Sequence, residues 1–373
     1  MICGIYRQMV SVCGFLVVAR CTKYREIGTL GDSFSCCFES YSLFIFIIVP
    51  FPGSGWLNRL ETASEYTAAD GTVYSSYYAA LLNNDPLSEP CRNLNAYVNS
   101  IFLPDSVVTA VSTNVSSLLT AHYLLCYLRN LFMGLVVYFC TAGIFHYFCY
   151  VHPMAQETFA KRQRPSPSIM WHQIKLASAS TIFYVMLPVV DEALIEQGWT
   201  RAYFTVDEIG GWGWYALYFV AYMSLVEIGI YWMHRTLHTN KWMYKHIHML
   251  HHAYNKPETL TPWASIAFHP LDGILQASPY VGALFVVPCH YLTHVFLLFF
   301  TAIWATYIHD SMDFNIDPIM GSKYHTVHHT HYIYNYGQIF TFCDRFWGTL
   351  RVPLEPTGVG RQVLVAPAGI KKD

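Results

Sequence analysis

Residues 131–151 and 213–233 are apolar runs about as long as the ~20 residues a helix needs to cross a bilayer, and no other feature constrains this chain's fold as much. Inside lipid every backbone N–H and C=O must find its partner within the protein, so such runs fold as helices. A shorter run at 176–190 contains Pro188, and the stretch 274–308 is long enough for two passes, with Pro288 near its middle as a hairpin point. Composition points the same way. Only 12% of the 373 residues are charged and 54% are hydrophobic, with a mean hydropathy of +0.28. A soluble domain of this length needs roughly twice that charge on its surface. The expected fold is an all-α integral membrane protein with about four to five transmembrane helices.

The formal charge of −2 carries no basic excess to neutralise phosphates, so nucleic acid is not an expected partner. The eleven cysteines are scattered, without a C-x-x-C pair, and indicate neither a disulfide framework nor a thiolate metal site. The chain divides into an N-terminal appendage over 1–60, a polar and mixed region over 61–123, a membrane-embedded domain over 124–353 and a tail over 354–373. Lys161, Arg162 and Arg164 directly follow the first strong span, and the positive-inside rule places that loop in the cytosol. Further crossings return the chain to that side at Met233, and the hairpin through 274–308 returns it again. The histidine-rich segments before and after the hairpin therefore form a cytosolic cap.

Those segments hold three clusters: His234 and His238, then His248, His251 and His252, then His325, His328 and His329. Residues three and four apart share a helix face, so each cluster can aim two or three imidazoles at one point. Imidazole ligates iron, zinc, copper and nickel alike. Four ligands saturate a structural zinc ion, and these eight histidines are enough for two metal ions with positions left open. His246, His269, His309 and His331 are available to complete or orient the ligand shell. A lone histidine is more often a hydrogen-bonded surface residue than a ligand. Three such clusters in one membrane chain are far harder to reach by chance.

Glu227 lies on one helical stripe with Tyr231, His234 and His238, and a carboxylate inside a span marks function by default. It is expected to fix a histidine tautomer, with Asp272, Asp310 and Asp313 as further outer acceptors. Glu227 and Asp310 are the carboxylates expected to serve the catalytic site. A metal transporter or sensor also combines spans with histidines, but places its ligands within the spans to form a path. Here the clusters begin at span ends. A structural zinc protein needs fewer ligands.

The series H-x-x-x-H, H-x-x-H-H, H-x-x-H-H resembles the fatty acid hydroxylase and sterol desaturase superfamily. The stretches "EIGIYWMHRTLH", "TPWASIAFHPLDGILQ", "IHDSMD", "YHTVHH" and "YNYGQIFTFCDRFWGTLR" are most similar to those of the sterol C5(6)-desaturases, also called lathosterol oxidases. The likeness runs from about Leu124 to Pro353 and makes 124–353 the catalytic domain. It implies a nonheme enzyme of the endoplasmic reticulum membrane with two iron ions per chain. O2 is the co-substrate, and electrons come from NAD(P)H through cytochrome b5 and its reductase. The implied substrate is a Δ7-sterol, which receives a C5=C6 double bond. The family pattern makes His234, His238, His248, His251, His252, His325, His328 and His329 the metal ligands, and His269 and His309 also match recurring family histidines. Asp313 stands where some members carry histidine. Sterol C4-methyl oxidation and lipid hydroxylation are the alternatives within the superfamily. Lys241, Lys245, Lys256 and Arg235 are candidate docking charges for an acidic electron donor, or a basic rim for anionic headgroups.

Overall fold

The computed structural model describes residues 66–67, 72–74, 77, 80–81, 89–153, 164–256, 259–310 and 317–353. The appendage expected over 1–60 and the tail over 354–373 lie outside them, as do Lys161, Arg162 and Asp313. The described architecture is helical, with α1 (Glu89–Phe102), α2 (Asp105–Asn114), α3 (Leu118–His146), α4 (Pro167–Tyr184), α5 (Met186–Glu196), α6 (Trp212–Thr239), α7 (Pro270–Ala283), α8 (Tyr291–Ile308), α9 (Ser322–His331) and α10 (Phe342–Phe346). Strands are minimal. β1 (Tyr66–Thr67) pairs with β2 (Val73–Tyr74), and β3 (Ala202–Tyr203) runs parallel to β4 (Cys289–His290).

Helices long and apolar enough to cross a membrane cover Leu118–Val151, Pro167–Glu196, Trp212–Thr239 and Tyr291–Ile308. Ser117 caps the first by accepting from Thr120 N, and Ser166 caps the second, with Pro167 fitting the first turn where no N–H is needed. Phe132, Phe183, Leu217, Val220 and Phe296 are exposed, a band that lipid tolerates and water does not. The run 176–190 is thus the middle of a full-length span built from α4 and α5. The stretch 274–308 yields one full span and one short helix. At 14 residues α7 is about 21 Å long, short of the ~30 Å hydrocarbon core. Residues 284–290, with Pro288, turn the chain into α8.

The polar groups gather at two ends of the bundle. At one, Glu196 accepts from Asn95 Nδ2 (2.7 Å) and pairs with His122, Arg129 pairs with Glu192, and Asp191 holds His294 Nε2 (2.6 Å). At the other, α3 and α4 hold the loop after the second histidine cluster. Tyr138 donates to Trp263 O (2.9 Å), and Gln173 donates to Thr259 O (2.7 Å) while accepting from Thr261 Oγ1 (2.6 Å). This is also the end where α6, α8 and α9 deliver their histidines. Glycine sets one critical spacing: a Cβ on Gly229 would lie 2.7 Å from Pro279 Cβ, so α6 and α7 approach with backbone against ring.

Candidate metal centre

Nine imidazoles converge in two adjoining groups. His234, His238, His248, His252 and His328 form one, and His251, His309, His325 and His329 the other, with the candidate ligand atoms of each group within 4.8 Å of one another. The clusters do not each aim at a single point. The pairs 234/238 and 248/252 supply the first group, 325/329 the second, and the histidine beside each H-H pair's partner goes to the opposite group. Successive residues in a helical turn diverge by about 100°, whereas residues four apart nearly eclipse, so His251 cannot follow His252 nor His328 follow His329. The groups touch through His252 and His329, whose ring centroids are 4.4 Å apart.

Hydrogen bonding alone cannot account for the first group. The Nδ1–H of His328 donates to Tyr334 O (2.8 Å) and that of His248 to Asp272 Oδ2 (2.8 Å), which leaves both Nε2 atoms as bare acceptors. His238 Nε2 lies 3.2 Å from His328 Nε2 and 2.9 Å from His248 Nε2, and His252 Nε2 lies 3.2 and 3.1 Å from the same atoms. His238 and His252 are themselves 3.1 Å apart at Nε2. Two protons at most are available for these five contacts. A cation between the lone pairs satisfies all of them: nitrogens at ~2.1 Å from one ion stand about 3.0 Å apart at a right angle and about 3.4 Å apart at the tetrahedral angle. The buried His234 Nε2, without a hydrogen-bond partner, belongs to the same group, and its Nδ1 donates to Tyr336 O (2.9 Å). In the second group His309 Nδ1 donates to Ala305 O, and His325 Nε2 stands 3.2 Å from His309 Nε2 and 3.1 Å from His329 Nε2. The donor sets fit metal ions.

Ala305 O belongs to α8, whereas Tyr334 O and Tyr336 O come from a strap over 334–349 that side chains hold in place. Asp344 accepts from Tyr336 N and Gly337 N, both at 2.8 Å, and from Thr349 Oγ1 at 2.7 Å. Asn335 donates to Tyr324 O and Arg351 O and accepts from Arg351 N. Glu227 joins this scaffold instead of meeting a histidine: its carboxylate accepts from Ile339 N and Phe340 N at 3.2–3.3 Å. The expectation that it fixes a tautomer directly is therefore corrected. It lies on the stripe of α6 next to the strap, whose buried backbone N–H groups need an acceptor and take the carboxylate.

Asp272 is the carboxylate bonded to a histidine of the first group, His248. Its Oδ1 also accepts from Gln276 Nε2 (2.7 Å), and it is fully buried. Asp272→Ala is expected to lower metal affinity about 10–100-fold, with most of it recovered in Asp272→Asn, which keeps an oxygen acceptor. Metal titration of the detergent-solubilised chain checks this; equal affinities in all three proteins would refute it. His269 lies outside both groups and caps α7 by accepting from Leu271 N (3.2 Å). Its place directly before Pro270 is an N-cap position, and the cap takes up its Nδ1. Asp310 is buried beside His309, and its carboxylate is not among the ligand atoms of either group. His246 and His331 also fall outside.

Burial, followed by the neighbouring His248 and His309, pushes His328 down to about 3 against the pull of the Tyr334 carbonyl. Burial likewise takes His309 down to about 4, and His251, His252, His325 and His329 are held well below their ordinary range by burial and mutual repulsion. Depressed folded values mean that stability is fully present above the unfolded value of ~6.5 and is lost as pH falls toward 4. Both metal content and thermal stability are expected to decline from about pH 6 downward. Undiminished metal at pH 4 would contradict this.

A cleft reaches both groups at His234, His251, His309 and His325. It shares Tyr184, Ile266 and Ala302 with a mainly apolar chamber between α3, α5 and α8. The arrangement can present an apolar molecule to both imidazole groups.

A family model described as "Fatty acid hydroxylase" matches residues 219–349, which hold every histidine of both groups. The "Delta(7)-sterol-C5(6)-desaturase" of Nicotiana tabacum is 43% identical over 234 residues, covering 63% of this chain and 86% of that protein. The "Lathosterol oxidase" of Rattus norvegicus is 34% identical over 235 residues, covering 60% and 74%. No solved structure matches. With its helical membrane fold, its paired imidazole groups and these relatives, the chain belongs to the fatty acid hydroxylase family of oxidoreductases.

Proposed function

We propose that this enzyme is a nonheme diiron sterol C5(6)-desaturase of the endoplasmic reticulum membrane that introduces the C5=C6 double bond into a Δ7-sterol. The observation that carries the reading is the pair of imidazole groups opening onto a membrane-level apolar chamber, in a chain whose relatives bear these names. The balance is that C5 and C6 each lose one hydrogen while O2 takes two further electrons and two protons and leaves as two waters. Cytochrome b5, fed by NAD(P)H through its reductase, is the proposed electron source.

Iron, when bound, supplies the oxidising power to take hydrogen from an unactivated C–H bond, which lies beyond any side chain. His234, His238, His248, His252 and His328 would hold one ion, and His251, His309, His325 and His329 the other. Asp272 and the carbonyls of Tyr334, Tyr336 and Ala305 keep four of these rings in the tautomer that presents Nε2. Glu227 acts on the centre through the strap, and Asp310 is assigned as an outer carboxylate. Phe268, Ile266 and Ile308 line the cleft and would limit water beside the imidazoles.

The loop between α3 and α4 that carries Lys161, Arg162 and Arg164 is assigned to the cytosol, and the histidine groups with it. Lys241, Lys245 and Lys256 are exposed at that end and are the proposed docking charges. Arg235 is partly occupied, donating to Tyr231 OH (3.0 Å) and lying 5.3 Å from the Trp232 ring centroid.

The test is expression in yeast lacking sterol C5-desaturation, with sterols analysed by mass spectrometry. Return of Δ5,7-sterols is expected from the intact chain and not from His251→Ala. Persistent Δ7-sterols despite a well-expressed, metal-loaded chain would overturn the reading.

A further inference from the structure

We propose that the sterol lies with its hydroxyl-bearing ring in the histidine cleft and its hydrocarbon side chain in the apolar chamber, so that the chamber acts as the side-chain specificity site. The inference rests on the proposed sterol reading and deepens it.

Helix α8 serves as the ruler. His309 directly follows this helix and belongs to the metal centre, Ile308, Ala305 and Ala302 line the cleft, and Ala302, Phe299, Leu298 and Val295 line the chamber. The two spaces overlap along this helix between residues 301 and 306, and beyond that stretch the cleft continues to His309 while the chamber alone continues to Val295. From Thr306 to Val295 the chamber runs along eleven residue steps, about 17 Å at ~1.5 Å each. Beyond it, His294 is bound by Asp191, which closes the chamber's far end with Glu192 and Asn130.

Distance decides the orientation. A sterol's only polar group is the hydroxyl on C3, two bonds from C5. Two ends of the space offer it polar partners: the acids at the far end, and Gln276, Gln338 and Thr301 in the cleft. His294 and His309 are fifteen steps apart, about 22 Å along the helix. With C5 at the imidazoles, the hydroxyl cannot reach Asp191. It falls instead among Gln276, Thr301 and Gln338, and because Gln276 Nε2 is committed to Asp272, the amide oxygen is that residue's remaining acceptor. The side chain, purely hydrocarbon, then enters the apolar chamber and stops at its polar floor, since burying alkyl groups is favourable there and contact with unpaired acid oxygen is not.

The experiment uses the full chain in detergent–lipid micelles with two Δ7-sterols, one with its complete C17 side chain and one with that side chain removed. Val295→Phe fills the far end of the chamber. It is expected to raise KM for the complete sterol about tenfold, the scale of a methylene-sized misfit in an apolar pocket, and to change KM for the truncated sterol by less than about twofold. An equal rise for both overturns the proposal. An activity-independent arm follows labelling by a sterol with a diazirine at the end of its side chain. Labels within residues 187–192 or 295–299 support the orientation, and labels confined to 265–277 or 325–338 overturn it. A wild-type chain that desaturates neither sterol and takes no label removes the sterol reading and this proposal together; one that desaturates sterols but labels at the histidine end removes the orientation alone.

Discussion

Replacing His251 with alanine is expected to lower bound metal from about two ions per chain toward one, and to reduce turnover far beyond the ~10–100-fold that loss of an outer partner costs. His251 belongs to the four-imidazole group, where each ring is one of the minimum set that saturates an ion. His252→Ala is expected to behave differently. It takes one ring from the five-imidazole group and leaves four, so metal content should stay close to two while turnover still collapses, because His252 Nε2 touches three other ligand nitrogens. His269→Ala, by contrast, removes a helix cap and should cost about 1 kcal/mol of stability with metal content unchanged. Metal analysis of the three purified variants, paired with sterol turnover, checks all of this at once. Identical metal losses in the neighbouring His251 and His252 variants would sink the two-group description.

Gly337→Ala should be the most damaging change outside the ligands. A Cβ there would lie 2.4 Å from Phe340 O and 3.0 Å from Asp344 Oδ2, with Met320 Cε at 3.3 Å. A methionine end can move; a carbonyl fixed in a strap cannot do so without breaking other bonds. The strap must open, and with it the Asp344 bonds to Tyr336 N and Gly337 N. Overpacking of this kind costs about 1–3 kcal/mol, and loss of the bonded network raises that toward the ~4 kcal/mol found for severe variants. Tyr334 O and Tyr336 O, which hold His328 and His234, would shift as well. The expected result is a lowered Tm together with weakened metal binding. A stable variant with full metal content would show that the strap does not position these rings.

Much of this molecule was legible in its sequence for simple physical reasons. Apolar length specifies helix in lipid, and the runs at 131–151 and 213–233 lie inside described spans. Histidines four apart eclipse on a turn, which is why 234/238, 248/252 and 325/329 each act as a pair. Other features were less visible. A run of apolar residues does not say where lipid ends, and so 274–308 concealed a helix too short to span. His269 and His309 look alike in the sequence, each followed closely by an aspartate, yet one caps a helix and the other joins a metal group. Glu227 looked like a partner for the histidines on its own helix face because the stripe it shares with them is local, whereas the strap that claims it is more than a hundred residues away in the chain.

The sequence by itself determined the membrane-spanning helices and the identity of eight of the nine clustered imidazoles, because each depends on residue type and short-range periodicity; the expected convergence of each cluster on one point did not hold, since His251 and His328 part from their neighbours. Only the tertiary structure decided how those histidines divide between two groups, which oxygens meet the Nδ1 atoms of His234, His248, His309 and His328, and where an apolar chamber adjoins them. Those outcomes depend on which distant backbone arrives beside a side chain, and a carbonyl such as Tyr334 O or Ala305 O carries no mark of that role in the residue that bears it.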